Sequence, residues 1–181
     1  MTWIVAVFIT IAALLALLFN RLVRDRNQVA AAWSDVDVQL QRRHDLVPRL
    51  VEVVKAYAAH ESELFSRLAA ERSASLHAGG IGERGDIEQR VDRDARQLLA
   101  LAEDYPDLKA SENFAQLSSQ LVEVEDHLQY ARRFYNGSVR QYNTRCEQFP
   151  HLLIARAFAF HPAEFFAAEA DSRGAVEVKL P

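Results

Sequence analysis

The chain opens with seventeen residues, Trp3 to Phe19, that hold no charge and a single hydroxyl, and it turns polar at once with Asn20, Arg21, Arg24, Asp25 and Arg26. As a helix the run reaches about 26 Å at roughly 1.5 Å per residue, short for a bilayer core but workable where flanking side chains snorkel. A cleaved signal peptide is the competing reading. It calls for a basic leading segment and a small-x-small cleavage site, whereas Met1 and Thr2 carry no side-chain charge and the run ends in Leu18, Phe19, Asn20, Arg21. The pattern therefore predicts a retained single-pass membrane helix. Three arginines follow the run and no basic side chain precedes it, which predicts the N-terminus outside and the rest of the chain in the cytoplasm.

Beyond the anchor, apolar positions recur at helical spacing. Leu22, Val29, Trp33, Val36, Leu40 and Val47 fall 7, 4, 3, 4 and 7 apart, one stripe of a helix that continues out of the membrane without a break. Pro48 then punctuates the pattern, either by a turn into a new helix capped by Asp45 or by a kink. A second helix carries Leu46, Leu50, Val53, Tyr57, Leu64 and Leu68 to about His77, and Gly79, Gly80, Gly82 and Gly85 mark a loop. A third holds Ile87, Val91, Leu98, Leu101 and Tyr105 and ends before Pro106. The fourth is the longest: Phe114, Leu117, Leu121, Val124, Leu128, Ala131, Tyr135, Ser138, Tyr142, Cys146 and Phe149 alternate steps of 3 and 4 with one slip, in coiled-coil fashion, until Pro150.

Stripes this wide need partners, and short connections favour antiparallel neighbours. The predicted fold class is all-α: one N-terminal transmembrane helix continuing into an antiparallel four-helix bundle of long helices. The predicted division is residues 1–21 as anchor, 22–150 as bundle and 151–181 as an apolar tail, which the helix lengths return to the membrane side. The tail has two readings. Its phenylalanines Phe158, Phe160, Phe165 and Phe166 either close the end of the bundle as core or form a membrane-interface or intersubunit contact. Val176, Glu177, Val178, Lys179 and Leu180 alternate like a short strand, which could add to a neighbour's sheet or stay disordered.

Composition supports this picture and narrows the chemistry. Six glycines and five prolines in 181 residues are few, and the abundant Ala, Leu, Glu, Arg and Gln lose little on entering a helix. The net charge of −4 is not the basic footprint that nucleic acid requires. Cys146 is the only cysteine, so no disulfide forms within the chain, and a small buried apolar residue is the simpler reading than a reactive thiol.

Long runs of residues then resemble a known family. Arg26-Asn27-Gln28-Val29 and the block from Ala32-Trp33-Ser34-Asp35-Val36-Asp37 through Gln41-Arg42-Arg43-His44-Asp45-Leu46-Val47-Pro48 resemble the LemA signature. Tyr57, Ala58, His60 and Glu61, Tyr105 to Ala110, Asn113-Phe114, Ala131-Arg132, Tyr135-Asn136, Tyr142-Asn143 and Phe149-Pro150 extend the likeness along most of the chain. The resemblance implies a bacterial helical-bundle protein anchored in the cytoplasmic membrane, of largely undefined role and with no catalytic residues. The family pattern has Asn at the position of Leu152 and Gly at those of Arg156 and Ala159.

Known reaction motifs fail on spacing. His60-Glu61-Ser62-Glu63-Leu64 lacks the second histidine of a zinc-protease helix. Neither His60 nor His127 follows a glutamate at the third position back, so a di-iron bundle is not encoded. No phosphate-binding glycine loop or nucleophile elbow is present. No catalytic, cofactor-binding or metal residue is assigned, no cofactor or small-molecule substrate is expected, and the protein is read as non-enzymatic.

The candidate partner or register surface is Asp35, Asp37, Arg42, Arg43, His44 and Asp45, crowded near the membrane-distal turn, with Asn136 and Asn143 following the buried-stripe tyrosines. The acids and bases either pair within the bundle or face a partner. The asparagines could bond across helices and fix register. Two functions follow. One is a scaffold that self-associates or organises membrane and protein assemblies, its partners the bilayer and further copies or another membrane protein. The other is a tethered adaptor that presents its charged distal turn to another protein.

Overall fold

A computed structural model describes residues 1–166, whose regular elements are all helices, with no strand among them. The alternating segment Val176 to Leu180 lies outside the described residues. Six α-helices and one 3-10 turn follow in order: α1 Thr2–Lys55, α2 Ser62–Leu76, α3 Ile81–Ala100, the 3-10 turn Leu101–Glu103, α4 Pro106–Lys109, α5 Glu112–Glu147 and α6 His151–Ala157.

Helix α1 is longer than the pattern suggests. It continues through Pro48 to Lys55, although proline there removes the N–H that would reach the His44 carbonyl. Proline evidently neither reverses the chain nor ends the helix, and no turn forms at Asp45. The reason is tertiary: Val47, Leu50, Val51 and Val54 around it are all buried, and that packing outweighs one lost backbone bond. The break falls instead at residues 56–61, so the second predicted helix splits and its first half belongs to α1. The start of α3 at Ile81 absorbs much of the glycine cluster, with the Gly79 N–H donating to the Glu83 carboxylate at 2.8 Å. Ser111 directly precedes α5, its hydroxyl accepting from the Phe114 N–H at 3.4 Å, as a helix cap does.

The chain divides into two compact units. The first joins Met1–Val38 to Leu128–Glu164, and the second holds Gln39–His127 together with Phe165 and Phe166. Within the first, α1 and α5 run in opposite directions, since Asp25 meets Arg145 and Trp33 meets Tyr135. Leu22, Val29, Ala32 and Val36 line one side of that contact and Leu128, Tyr135, Val139 and Tyr142 the other, all buried. The second unit has a continuous core drawn from α1, α2, α3 and α5. It includes Leu50, Val54, Leu64, Leu68, Val91, Leu98 and Leu121, and Leu108 of α4 closes it.

The start of α1 is the stretch, among the described residues, long and apolar enough to cross a membrane. Its mean hydropathy is 2.6 over eighteen residues and none of that window is buried. Every side chain from Met1 to Leu17 is exposed, with Trp3 and Phe8 at 84% and 75%. No helix of the first unit covers them.

Candidate functional site

The residues singled out by sequence separate into three settings. In the second unit, Arg43 and His44 turn inward from α1, 1% and 2% exposed. Arg43 Nη2 donates to the Glu88 carboxylate of α3 and, at 3.2 Å, to the Glu88 carbonyl, while Nη1 reaches Glu125 of α5 at 3.0 and 3.2 Å. His44 Nε2 lies 2.7 Å from the second oxygen of Glu88, and the Ser75 hydroxyl of α2 donates to that same oxygen. One carboxylate thus ties α1, α2 and α3 together, and the arginine adds α5.

The electrostatics follow from burial set against pairing. Burial alone would raise the Glu88 carboxyl, but the His44 hydrogen bond, the Arg43 charge and the Ser75 hydroxyl outweigh it and hold it down at about 2. Burial would also lower Arg43, yet Glu125 and Glu88 push it above its ordinary value. Burial keeps Glu125 above its ordinary value, helped by repulsion from Asp92 and against the pull of Arg43 and Arg96. A buried network of this kind adds little net stability over an apolar core, but removing one member is costly because the others lose their compensation.

The remaining residues of the signature cluster do not join this network. Asp35, Asp37, Arg42 and Asp45 are exposed on α1, and Asp37 has an interaction of its own within the chain. The distal turn they were expected to crowd does not form there.

In the first unit, α5 holds the extended chain after α6. The Tyr135 hydroxyl donates to the Glu164 carbonyl at 2.7 Å and the Tyr142 hydroxyl to the His161 carbonyl at 3.0 Å. Asn143 is bidentate on Ala163: its amide donates to the carbonyl at 2.9 Å and its oxygen accepts from the N–H at 2.8 Å. Asn143 therefore bonds the returning tail rather than a neighbouring helix. Asn136 is half-buried and has a partner within the chain. Burial pushes both tyrosines up to about 12, so they remain donors across the ordinary pH range. Burial likewise pushes the Cys146 thiol up, which lowers its thiolate fraction and its reactivity.

The tail phenylalanines also divide. Phe160 is 8% exposed, with its ring 5.7 Å from that of Phe19 and under the Arg26 guanidinium at 5.2 Å. Phe158 meets Phe19 edge-on at 5.0 Å yet is 60% exposed. In the second unit Phe166 is buried and Phe165 is 44% exposed.

Sequence reasoning missed Glu88, Glu125, Ser75, Asp25 and Arg145, and the signal was in the gaps. Where the apolar stripe of α1 steps by seven, from Leu22 to Val29 and from Leu40 to Val47, the skipped positions are Asp25 and Arg43, both buried. Asp25 pairs with Arg145 at 2.7 Å. Glu88 likewise stands three residues before Val91, on the stripe that Ala95 and Leu98 continue. A missing apolar residue in a regular stripe marked a buried polar one.

A polar groove of about 470 Å³ lies between α1 and α5 in the second unit, lined by residues such as Arg49, Glu52, Asn113 and Gln120. None of the buried ionisable residues opens into it. Among the described residues no group of three His, Cys, Asp or Glu side chains is placed to hold a metal ion.

The model of the LemA family matches residues 32–180. This chain belongs to the LemA family. It is 27% identical over 180 aligned positions to magnetosome protein MamQ 2 of Paramagnetospirillum magneticum, covering 85% of this chain and 66% of that protein. It is 25% identical over 174 positions to magnetosome protein MamQ of Magnetospirillum gryphiswaldense, covering 82% and 64%. Protein LemA of Metamycoplasma hominis is 26% identical over 151 positions, covering 82% and 68%. The chain spans just under two thirds of the length of the magnetosome relatives it matches. In this LemA-family chain Tyr135, Tyr142 and Asn143 of α5 have a physical role as the clamp on the segment after α6, and the Arg43-His44 pair lies at the centre of the buried network.

Proposed function

We propose that the chain is a single-pass, membrane-anchored and non-enzymatic helical scaffold, an antiparallel four-helix body that self-associates or organises assemblies at the bacterial cytoplasmic membrane. The observation that carries this reading is the continuity of α1. One helix carries the apolar run straight into the first unit, where Leu22, Val29, Ala32 and Val36 are buried, without a linker between them. From Asn20 to Val38, within the first unit, it extends about 28 Å at roughly 1.5 Å per residue, so a tilt of the span is carried into that unit. A flexible tether suits an enzyme that must search for substrate, whereas a rigid post suits a protein whose orientation in the membrane matters. The magnetosome names of the relatives agree with a role in a membrane assembly.

The non-enzymatic reading is supported by how the buried ionisable groups are used. Arg43, His44 and Glu88 are spent on one another inside a helical core, away from the α1–α5 groove. The arginines that follow the span, Arg21, Arg24 and Arg26, favour the cytoplasmic side for the body.

Light scattering of the protein in lipid nanodiscs tests the scaffold. A defined oligomer is expected, and a monomer at all protein-to-lipid ratios would remove the reading. A reporter fused after Pro181 that is active only in the cytoplasm tests orientation, and a silent reporter at normal expression reverses it. The adaptor reading rests on the exposure of Asp35, Arg42 and Asp45 along α1. Charge reversal at Arg42 that leaves crosslinked partners unchanged removes that one.

A further inference from the structure

Helix α6 and the residues flanking it present large apolar side chains outward. Phe149 is 80% exposed, Leu153 59% and Phe158 60%, while Ile154 and Ala155 on the other side of the helix are 5% and 4% exposed and face the unit. A phenylalanine left four-fifths in water is unusual in a soluble body unless something covers it. Their position says what covers them. The Phe158 ring rests edge-on against Phe19 at 5.0 Å, and Phe160 meets Phe19 at 5.7 Å. Phe19 is the last residue of the apolar run. The exposed patch is thus continuous with the outer surface of the span rather than a separate face of the body.

We infer that the Phe149–Phe158 segment is a lipid-contacting lip that lies in the headgroup boundary of the bilayer beside the end of the membrane helix. This rests on the reading of Trp3 to Phe19 as a span. Seventeen residues fall short of a hydrocarbon core of about 30 Å, and a second apolar element at the exit point extends the lipid-facing surface where the helix runs out. The charges agree. Arg21 and Arg24 on α1 and Arg156 on α6 are exposed around the lip, and long basic side chains bury their stems in the boundary while their heads reach lipid phosphates. Of the tail phenylalanines only Phe158 serves the lip. Phe160 is packed beneath it, and Phe165 and Phe166 belong to the other unit.

The test uses the full chain in nanodiscs of mixed zwitterionic and anionic phospholipid, with Cys146→Ser as background and single fluorophores at Phe149→Cys, Leu153→Cys, Phe158→Cys, Val7→Cys and Tyr130→Cys. Tyr130 is 74% exposed on α5 and serves as the water-facing control. Phe149 and Leu153 are mostly exposed, so their variants keep the helical circular dichroism even where Phe158→Cys loosens the Phe19 contact. The expected result is loss of emission at 149 and 153 to a nitroxide carried near the lipid headgroup, with little loss to iodide, and the reverse at 130. Iodide quenching at 149 and 153 equal to that at 130 overturns the proposal. Shielding from both quenchers that grows with protein density also overturns it, in favour of a second copy of the chain as the cover. A deep-chain nitroxide that fails to quench Val7 defeats the span reading itself, whereas quenching at Val7 without quenching at 153 defeats the lip alone.

Discussion

Ala159→Gly should stabilise the C-terminal strap, because Ala159 holds a backbone conformation that suits glycine. Its φ is 52°, the only positive φ of a non-glycine residue among those described. It stands directly after the helix end at Phe158, and the Phe160 N–H reaches back to the Ala155 carbonyl at 2.9 Å. That is the six-to-one bond of a Schellman helix end, whose next position is commonly glycine. An L-residue in the left-handed region costs roughly 1–2 kcal/mol through its Cβ, and glycine gives back about 0.5–1 kcal/mol in unfolded-chain entropy. The net gain expected is about 0.5–1 kcal/mol. Local opening of the strap is read best by hydrogen exchange of residues 158–166, where the Ala163 N–H is held by Asn143. Exchange there should slow by roughly threefold, since 1.4 kcal/mol is tenfold, while exchange in the core of the second unit stays unchanged. Unchanged or faster exchange across the strap would falsify the assignment of strain to Ala159.

Three further outcomes follow from the structure. Glu88 carries its proton only near pH 2 in the folded chain, against an ordinary value near 4.5, so its contribution is complete above about pH 4.5 and is lost as pH falls toward 2, on the order of 3 kcal/mol in all. Glu88→Gln should lower the denaturation midpoint at pH 7 and flatten its fall over that window, and an unchanged acid slope refutes the network's role. Asn143→Leu leaves the Ala163 N–H and carbonyl without their partner and should weaken the strap by about 2 kcal/mol, seen as protease cleavage near Ala163 while the helical signal is retained; resistance equal to the parent chain counts against the clamp. Gly137 is exposed in mid-helix α5, and a Cβ there would meet nothing within 4 Å, so Gly137→Ala should raise thermal stability by about 1 kcal/mol, and a lower unfolding temperature would point to a covering partner at that position.

The amino-acid sequence determined the helical class, the apolar span and the approximate course of the longest helices, because these are local properties. A run without charge, a stripe with a period near 3.6 and the residues that lose little in a helix are legible without knowing what lies opposite. The recurring Tyr-Asn pairs of α5 were visible too, but not that Tyr135, Tyr142 and Asn143 grip the backbone of a segment 19 to 29 residues further on. Proline at 48 shows the limit well. Its local chemistry predicts a turn or a kink, and only the burial of Val47, Leu50, Val51 and Val54 on the same helix decides that α1 continues. Arg43 and His44 show it again, since the local pattern leaves open whether they pair within the bundle or face a partner until Glu88, Glu125 and Ser75 are brought to them from three other helices. The fate of each tail phenylalanine likewise depended on what stood beside it. Tertiary structure decides such questions because a buried charge or a broken backbone bond is tolerated only when distant residues compensate it, and the identity of those residues is not written in the local pattern.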